Sequence, residues 1–257
     1  MQRLLHTYRI DTKNITIINQ VCGVNMVRFG LERYYNTMKK ITILTGHYGA
    51  GKTNMCVNMA LELADKGSKV SVVDLDTVNP YFRTADFKLL FQDKNVKLIS
   101  SVFANTNLDT PAITFGIESV VKEDGYLLID VGGDDMGAYA LGQYSNMLSN
   151  YSDCLDMLYV INGYRYLTKT PEEAFEVMKS IEASSRIRHT GIINNSNLGD
   201  ETTILTVESS RPFAEGVAKL SNLPIVKTAY PYHALADNVK QNDAYYIKRY
   251  VKPIWER

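Results

Sequence analysis

Ile41-Thr42-Ile43-Leu44-Thr45-Gly46-His47-Tyr48-Gly49-Ala50-Gly51-Lys52-Thr53 is the stretch on which the reading of this chain turns. Its first five residues form a short, mostly apolar run, as a strand buried on both faces does. From Gly46 to Thr53 the sequence fits G-x-x-x-x-G-K-[ST] at every required position, and helix-like sequence follows. Glycines there let backbone N–H groups turn inward around phosphate oxygens without a Cβ clash. The helix start adds its partial positive charge. Lys52 is suited to reach β- and γ-phosphates, and the Thr53 hydroxyl to ligate Mg²⁺. Gly46, His47, Tyr48, Gly49, Ala50, Gly51, Lys52, Thr53 and Asn54 are therefore the expected phosphate-binding segment.

Outward from this loop, short apolar runs recur at 70–75, 127–131, 157–161, 191–193 and 225–228, separated by amphipathic stretches. The clearest helix begins at Thr170, with Pro171 in the first position, Glu173 three residues after the cap, and an apolar stripe of Phe175, Met178 and Ile181. The helix after the loop is expected to run to about Ala64, with Gly67 as its stop. This alternation predicts a doubly wound α/β domain, a mostly parallel sheet with helices on both faces, spanning 38–257. Residues 1–37 read as an N-terminal extension, either a mis-assigned start or poorly ordered tail upstream of a natural start at Met38, or an extra element on the domain edge.

Two of the predicted strands end in carboxylates: Val73-Asp74-Leu75-Asp76 and Ile129-Asp130-Val131-Gly132-Gly133. In a parallel sheet both emerge at the edge that carries the phosphate loop. Asp130 is the expected Mg²⁺-holding residue. Gly133, three residues on, offers a backbone N–H to a γ-phosphate. Asp134 and Asp135 read as helix caps before a helix resuming near Met136. Asp74 reads equally as a structural carboxylate bonded to backbone amides.

With these motifs in place, the chain from Met38 to about Asn242 resembles the MinD/ParA-type branch of P-loop ATPases, of the SIMIBI class. The resemblance implies that Asp76, second aspartate of a D-x-D strand end, positions or activates the attacking water and joins Thr53 and Asp130 around Mg²⁺. It implies Lys52, Asp76 and Asp130 as the catalytic set, with 77–83 and 131–135 as nucleotide-sensing segments. Ile192-Ile193-Asn194-Asn195 resembles the strand-end asparagine that reads adenine, which assigns base recognition to Asn194. Tyr230-Pro231-Tyr232-His233 resembles the proline segment lining the base, which assigns Pro231. A guanine-reading carboxylate would fall at Asn197, which is neutral, so ATP is expected over GTP. Many members carry a second lysine after the first loop glycine that crosses a homodimer interface; this chain has His47. Either that dimer is not built or another cation serves, Arg83 being the candidate.

The 28 basic and 28 acidic residues balance, which gives no support to a nucleic-acid-binding face. No apolar run approaches the ~20 residues of a membrane span. The three cysteines, Cys22, Cys56 and Cys154, are widely spaced and read as reduced thiols of a cytoplasmic protein. The aromatic and basic segment 245–255 is expected to dock as a C-terminal helix. Together these features predict a cytoplasmic ATPase that uses ATP and Mg²⁺ as a switch on an unidentified protein partner. The alternative is a small-molecule kinase with Asp76 as general base.

Overall fold

The computed structural model describes residues 38–76, 84–100, 114–133, 135–237 and 242–252. The expectations for residues 1–37, Cys22, Arg83 and Asp134 lie outside the described residues. The elements run β1 (Ile41–Thr45), α1 (Lys52–Asp65), β2 (Val70–Asp74), α2 (Lys88–Asp93), β3 (Val96–Ser100), α3 (Thr114–Val120), β4 (Tyr126–Asp130), α4 (Asp135–Gly142) and α5 (Ser145–Leu148). They continue with β5 (Leu155–Ile161), α6 (Pro171–Ser185), β6 (Gly191–Asn194), α7 (Ile204–Ser209), α8 (Arg211–Ser221), β7 (Ile225–Pro231) and β8 (Ala244–Ile247).

Among the described residues the strands form one eight-stranded sheet in the order β3-β2-β4-β1-β5-β6-β7-β8, and every adjacent pair is parallel. Alternate side chains of each central strand enter different cores. Ile41, Ile43, Leu127, Ile129, Met157 and Tyr159 pack with Ala138, Met178, Ile181 and Val217 of the helices on one face. Leu44, Val72, Leu128, Leu158 and Ile193 pack with Met55, Met59, Ala60 and Leu63 of α1 on the other. Burial on both faces is why these strands read as unbroken apolar runs. The helix start at Thr170 is a complete capping box, with Glu173 N–H donating to Thr170 Oγ1 at 3.2 Å and Thr170 N–H to Glu173 Oε2 at 3.1 Å. Met178 and Ile181 are buried and Phe175 packs at the core's edge, as the stripe predicted.

Three expectations need correction. β3 was not foreseen, so the strand ending in Asp130 is fourth in the chain. β7 runs to Pro231 rather than stopping at Thr228. Over its described residues the segment 245–255 is not a helix: Ala244–Ile247 adds a parallel edge strand to β7, and 248–252 continues without helix, 253–255 lying outside the described residues. What holds that continuation is side-chain hydrogen bonding from α1. Asn54 Nδ2 and Asn58 Nδ2 donate to the Lys248 carbonyl (3.0 and 2.8 Å), and Asn54 Oδ1 accepts from Tyr250 and Val251 N–H (2.8 and 3.2 Å).

Candidate functional site

Strand order brings the predicted residues to one edge. β4 lies directly beside β1, pairing Leu44 with Asp130, and beside β2, pairing Asp74 with Asp130. The loop leaving β1 turns through Gly46, Gly49 and Gly51, all at left-handed φ (143°, 76° and 89°). Gly51 caps α1 with no side-chain bond to the helix's first amides, and the first turn holds no acidic residue. This leaves a helix start suited to an anion. Lys52 is buried, and its ammonium donates to the His47 carbonyl at 3.3 Å, across the inside of the loop. Gly133 meets the loop from β4's side: a Cβ there would lie 2.7 Å from Tyr48 backbone atoms and 2.9 Å from Lys52 Nζ. No side chain fits between the two segments.

Asp130 is the hub. It is buried, and its Oδ2 accepts from Thr53 Oγ1 at 2.7 Å and from Thr84 Oγ1 at 2.6 Å. Its other oxygen, Oδ1, is buried with no hydrogen-bond partner. Burial pushes the Asp130 carboxyl above its ordinary range, and the Thr84 bond, the Lys52 charge and the Thr53 bond offset this only in part. A buried acceptor lacking a donor is the environment a cation relieves, so Thr53 and Asp130 fit the Mg²⁺ site expected of them. Asp74 is buried and accepts the Asp76 N–H at 3.0 Å, the structural role that was its simpler reading. Asp76 itself lies on the cavity wall.

The cavity, of about 610 Å³, runs from Tyr48, Gly49, Gly51, Lys52, Thr53 and Asp76 to a second wall that includes Asn195, Asn197, Asp200, Pro231 and Arg249. That volume suits a small-molecule ligand. Arg249 and Asp200 face each other on this wall at 2.5 Å.

Base-end expectations are met unevenly. Pro231 lines the cavity. Asn194 does not appear on its wall: it is buried, donating through Nδ2 to Ser210 Oγ (3.0 Å) and accepting Ser196 Oγ–H (2.8 Å) and N–H (3.2 Å) at Oδ1. Its neighbour Asn195 takes the wall position, donating Nδ2–H to the Ala50 carbonyl at 2.7 Å and leaving Oδ1 buried without a partner. The physical reason is strand alternation, which turns adjacent residues to opposite faces. Asn54 borders the cavity, but its amide is committed to the 248–251 backbone. His47 folds back on the loop, its Nδ1 reaching the Tyr48 carbonyl at 3.0 Å.

Sequence reasoning missed Thr84, Asn195 as distinct from Asn194, and Arg165, whose Nε donates to the Gly49 carbonyl at 3.0 Å. None belongs to the phosphate-loop pattern. A hydroxyl just after the first sensing segment was the one visible hint for Thr84.

No protein-family model matches the chain, and no curated protein sequence matches it. Solved structures do. The cell division protein FtsY from Thermotoga maritima aligns with a TM-score of 0.52 at 18% identity, covering 82% of this chain and 66% of that one. The 54 kDa protein of the signal recognition particle from Aeropyrum pernix, in complex with GDP, gives 0.52 at 19%, covering 75% and 41%. The signal recognition particle receptor FtsY from Elizabethkingia anophelis gives 0.52 at 18%, covering 76% and 59%. This chain thus spans between 41% and 66% of the length of these three. Likeness at this identity is a likeness of fold, and the fold is the parallel α/β fold of P-loop nucleotide-binding proteins.

Proposed function

We propose that this chain is a cytoplasmic SIMIBI-type switch that binds Mg-ATP, hydrolyses it slowly, and through its changing 79–83 and 131–135 segments acts on a protein partner. The observation that carries this reading is the arrangement at Asp130. One carboxylate oxygen is shared by a hydroxyl from the loop helix and a hydroxyl next to the first sensing segment, and the other oxygen waits buried without a donor. Thr53 and Asp130 would hold Mg²⁺, which when bound supplies positive charge against the β- and γ-phosphates. Thr53 and Thr84 share Asp130 Oδ2, so whatever recruits the Thr53 hydroxyl alters what holds Thr84. Thr84 directly follows the 77–83 segment in the chain, so it would link the site to that segment. Gly133 and the buried Lys52 ammonium lie at the same end of the loop. Asp76, on the cavity wall, would orient an attacking water and accept its proton.

The preference for adenine rests on Asn195. Its amide orientation follows from the Ala50 carbonyl, which can only accept, so Nδ2 must face it and Oδ1 must be the group left over. An acceptor suits adenine's N6 amine and opposes the O6 carbonyl that guanine carries at the same ring position. The Aeropyrum neighbour carries GDP, so the base is the point to test directly. Equilibrium titration with fluorescent ATP and GTP analogues, with Mg²⁺, should show binding with ATP ahead. Phosphate release from ATP alone should follow, slowly. Tighter GTP binding would overturn the base assignment, and no binding of either would overturn the function.

A further inference from the structure

We propose that Arg165 is a positioning residue for the phosphate loop, bracing it through a backbone carbonyl. The inference rests on the nucleotide-binding reading above and adds to it a residue outside the loop motif.

The loop's inward amides serve an anion only if the intervening carbonyls are turned outward and kept there. Two consecutive carbonyls are held by side chains from the segments that follow β5 and β6. Gly49 C=O accepts from Arg165 Nε at 3.0 Å, and Ala50 C=O accepts from Asn195 Nδ2 at 2.7 Å. The guanidinium lies close over Gly49: a Cβ built there would stand 3.2 Å from Nε, 3.4 Å from Cζ and 3.5 Å from Cδ. Arg165 also lines the cavity beside Tyr48, Gly49 and Gly51.

Arg165 sits on a turn built to hold it. β5 ends at Ile161, and the chain then turns back on itself. Arg165 N–H donates to the Asn162 carbonyl (3.2 Å), Thr168 N–H to the Arg165 carbonyl (3.4 Å), and Tyr164 N–H to Asn162 Oδ1 (3.0 Å). Gly163 N–H donates to Ser196 Oγ (3.0 Å), which fixes the turn to the end of β6 next to Asn195. Leu167 within this turn adopts a left-handed φ of 70°, a conformation that a leucine holds only where its surroundings over-determine it. The two braces therefore stand on one connected platform, with β5 and β6 neighbours in the sheet.

A charged donor on a backbone carbonyl makes a stronger bond than a neutral one, and here it adds positive charge beside a loop whose second position is His47. Arg165 thus places a cation from the same chain next to the loop, although it acts on the loop's backbone.

The test measures affinity for three ligands in the presence of Mg²⁺: ATP, GTP and inorganic tripolyphosphate. Arg165→Ala should weaken all three by about the same factor, on the order of tenfold for one charge-assisted bond, and Arg165→Lys should recover most of the loss. Hydrogen exchange of the 46–53 amides, measured without ligand, should be faster in Arg165→Ala than in the parent. Unchanged affinities and exchange in Arg165→Ala would overturn the proposal. So would a loss confined to the nucleotides with tripolyphosphate unaffected, because Arg165 would then be touching base or ribose. If the parent protein binds none of the three ligands, it is the nucleotide reading that fails, and the exchange measurement still judges the brace.

Discussion

Replacing Gly51 with alanine tests the loop's construction without relying on any ligand. Gly51 holds φ at +89°, and an L-residue in that region costs roughly 1–2 kcal/mol. The new Cβ would also fall 2.2 Å from Asn195 Nδ2, so the Asn195 amide must leave its 2.7 Å bond to the Ala50 carbonyl. Leaving those buried groups unsatisfied costs roughly 1–3 kcal/mol. Against both, alanine restricts the unfolded chain and returns about 0.4–1 kcal/mol. The sum is a loss of about 1–5 kcal/mol, centred near 3, large beside the margin of a typical domain. Gly67 supplies the control. It sits at φ +80° with nothing within 4 Å of a built Cβ, so Gly67→Ala should show the backbone part alone, a net loss of about 1 kcal/mol or less. Guanidinium unfolding followed by circular dichroism would measure both variants. A third measurement isolates the clash: in an Asn195→Ala background the methyl group has room, and Gly51→Ala should cost no more than Gly67→Ala does. Equal losses for Gly51→Ala with and without Asn195 would refute the claim that the Asn195 contact shapes the loop.

Lys52→Ala should abolish Mg-ATP binding in a fluorescence titration, because it removes the ammonium that lies across the loop interior; unchanged affinity would mean the loop is misread. Asp76→Asn should spare binding and slow phosphate release severalfold or more, and normal turnover would move the water-positioning role elsewhere. Stability should also fall as pH drops from about 7 to about 5. His189 is buried, its Nε2 2.7 Å from Thr45 Oγ1 and its Nδ1 3.1 Å from Glu182 Oε1, and burial holds its pKa below the ordinary histidine value against the pull of Glu182. A histidine held down in the fold contributes fully above its unfolded pKa and loses that contribution as pH falls through its folded one. Burial pushes the Glu182 carboxyl up, but the bonds from His189 and Arg188 outweigh it and bring the pKa down to about 2, so the Glu182 contribution persists until far lower pH. Thermal melts of parent and His189→Gln should diverge over that upper range, and parallel profiles would show that His189 does not set the slope.

The parts of the fold legible in the sequence are those that physics marks locally. The central strands are covered on both faces and so read as apolar runs. The two strands that escaped, β3 and β8, are the sheet's edges. Val96-Lys97-Leu98-Ile99-Ser100 is mostly half-exposed beyond Val96, and Ala244–Ile247 is half-buried throughout. With one side uncovered, β3 mixes Lys97 and Ser100 into its apolar residues, and the four residues of β8 run straight on into Lys248 and Arg249, so neither reads as a buried strand. The mistaken terminal helix has the same origin. What fixes residues 248–251 is the pair Asn54 and Asn58, some 190 residues away in the chain, and no local periodicity records that.

The site divides along the same line, and Asn194 and Asn195 show why. Both are amides at one strand end, both are buried, and composition treats them alike. Which one faces the ligand is decided by strand alternation, and how it can bind is decided by which of its ends is already engaged. Ser196 and Ser210 occupy both ends of Asn194, whereas Ala50 occupies only the donor end of Asn195. The surviving acceptor is the chemically informative group, and it exists only because a loop 145 residues earlier in the chain turns a carbonyl toward it. A phosphate loop carries its chemistry in its own backbone and can be read from eight residues. On the proposed reading, base recognition would depend on what other segments have already claimed, so an Asn195→Leu variant, which removes donor and acceptor together, should cost ATP both its base contact and one of the loop's two outer braces. Its affinity loss should therefore exceed that of Arg165→Ala for ATP but match it, to within about a factor of two, for tripolyphosphate, where only the brace is at stake. Equal losses on both ligands would mean that Asn195 shapes the loop and does not read the base.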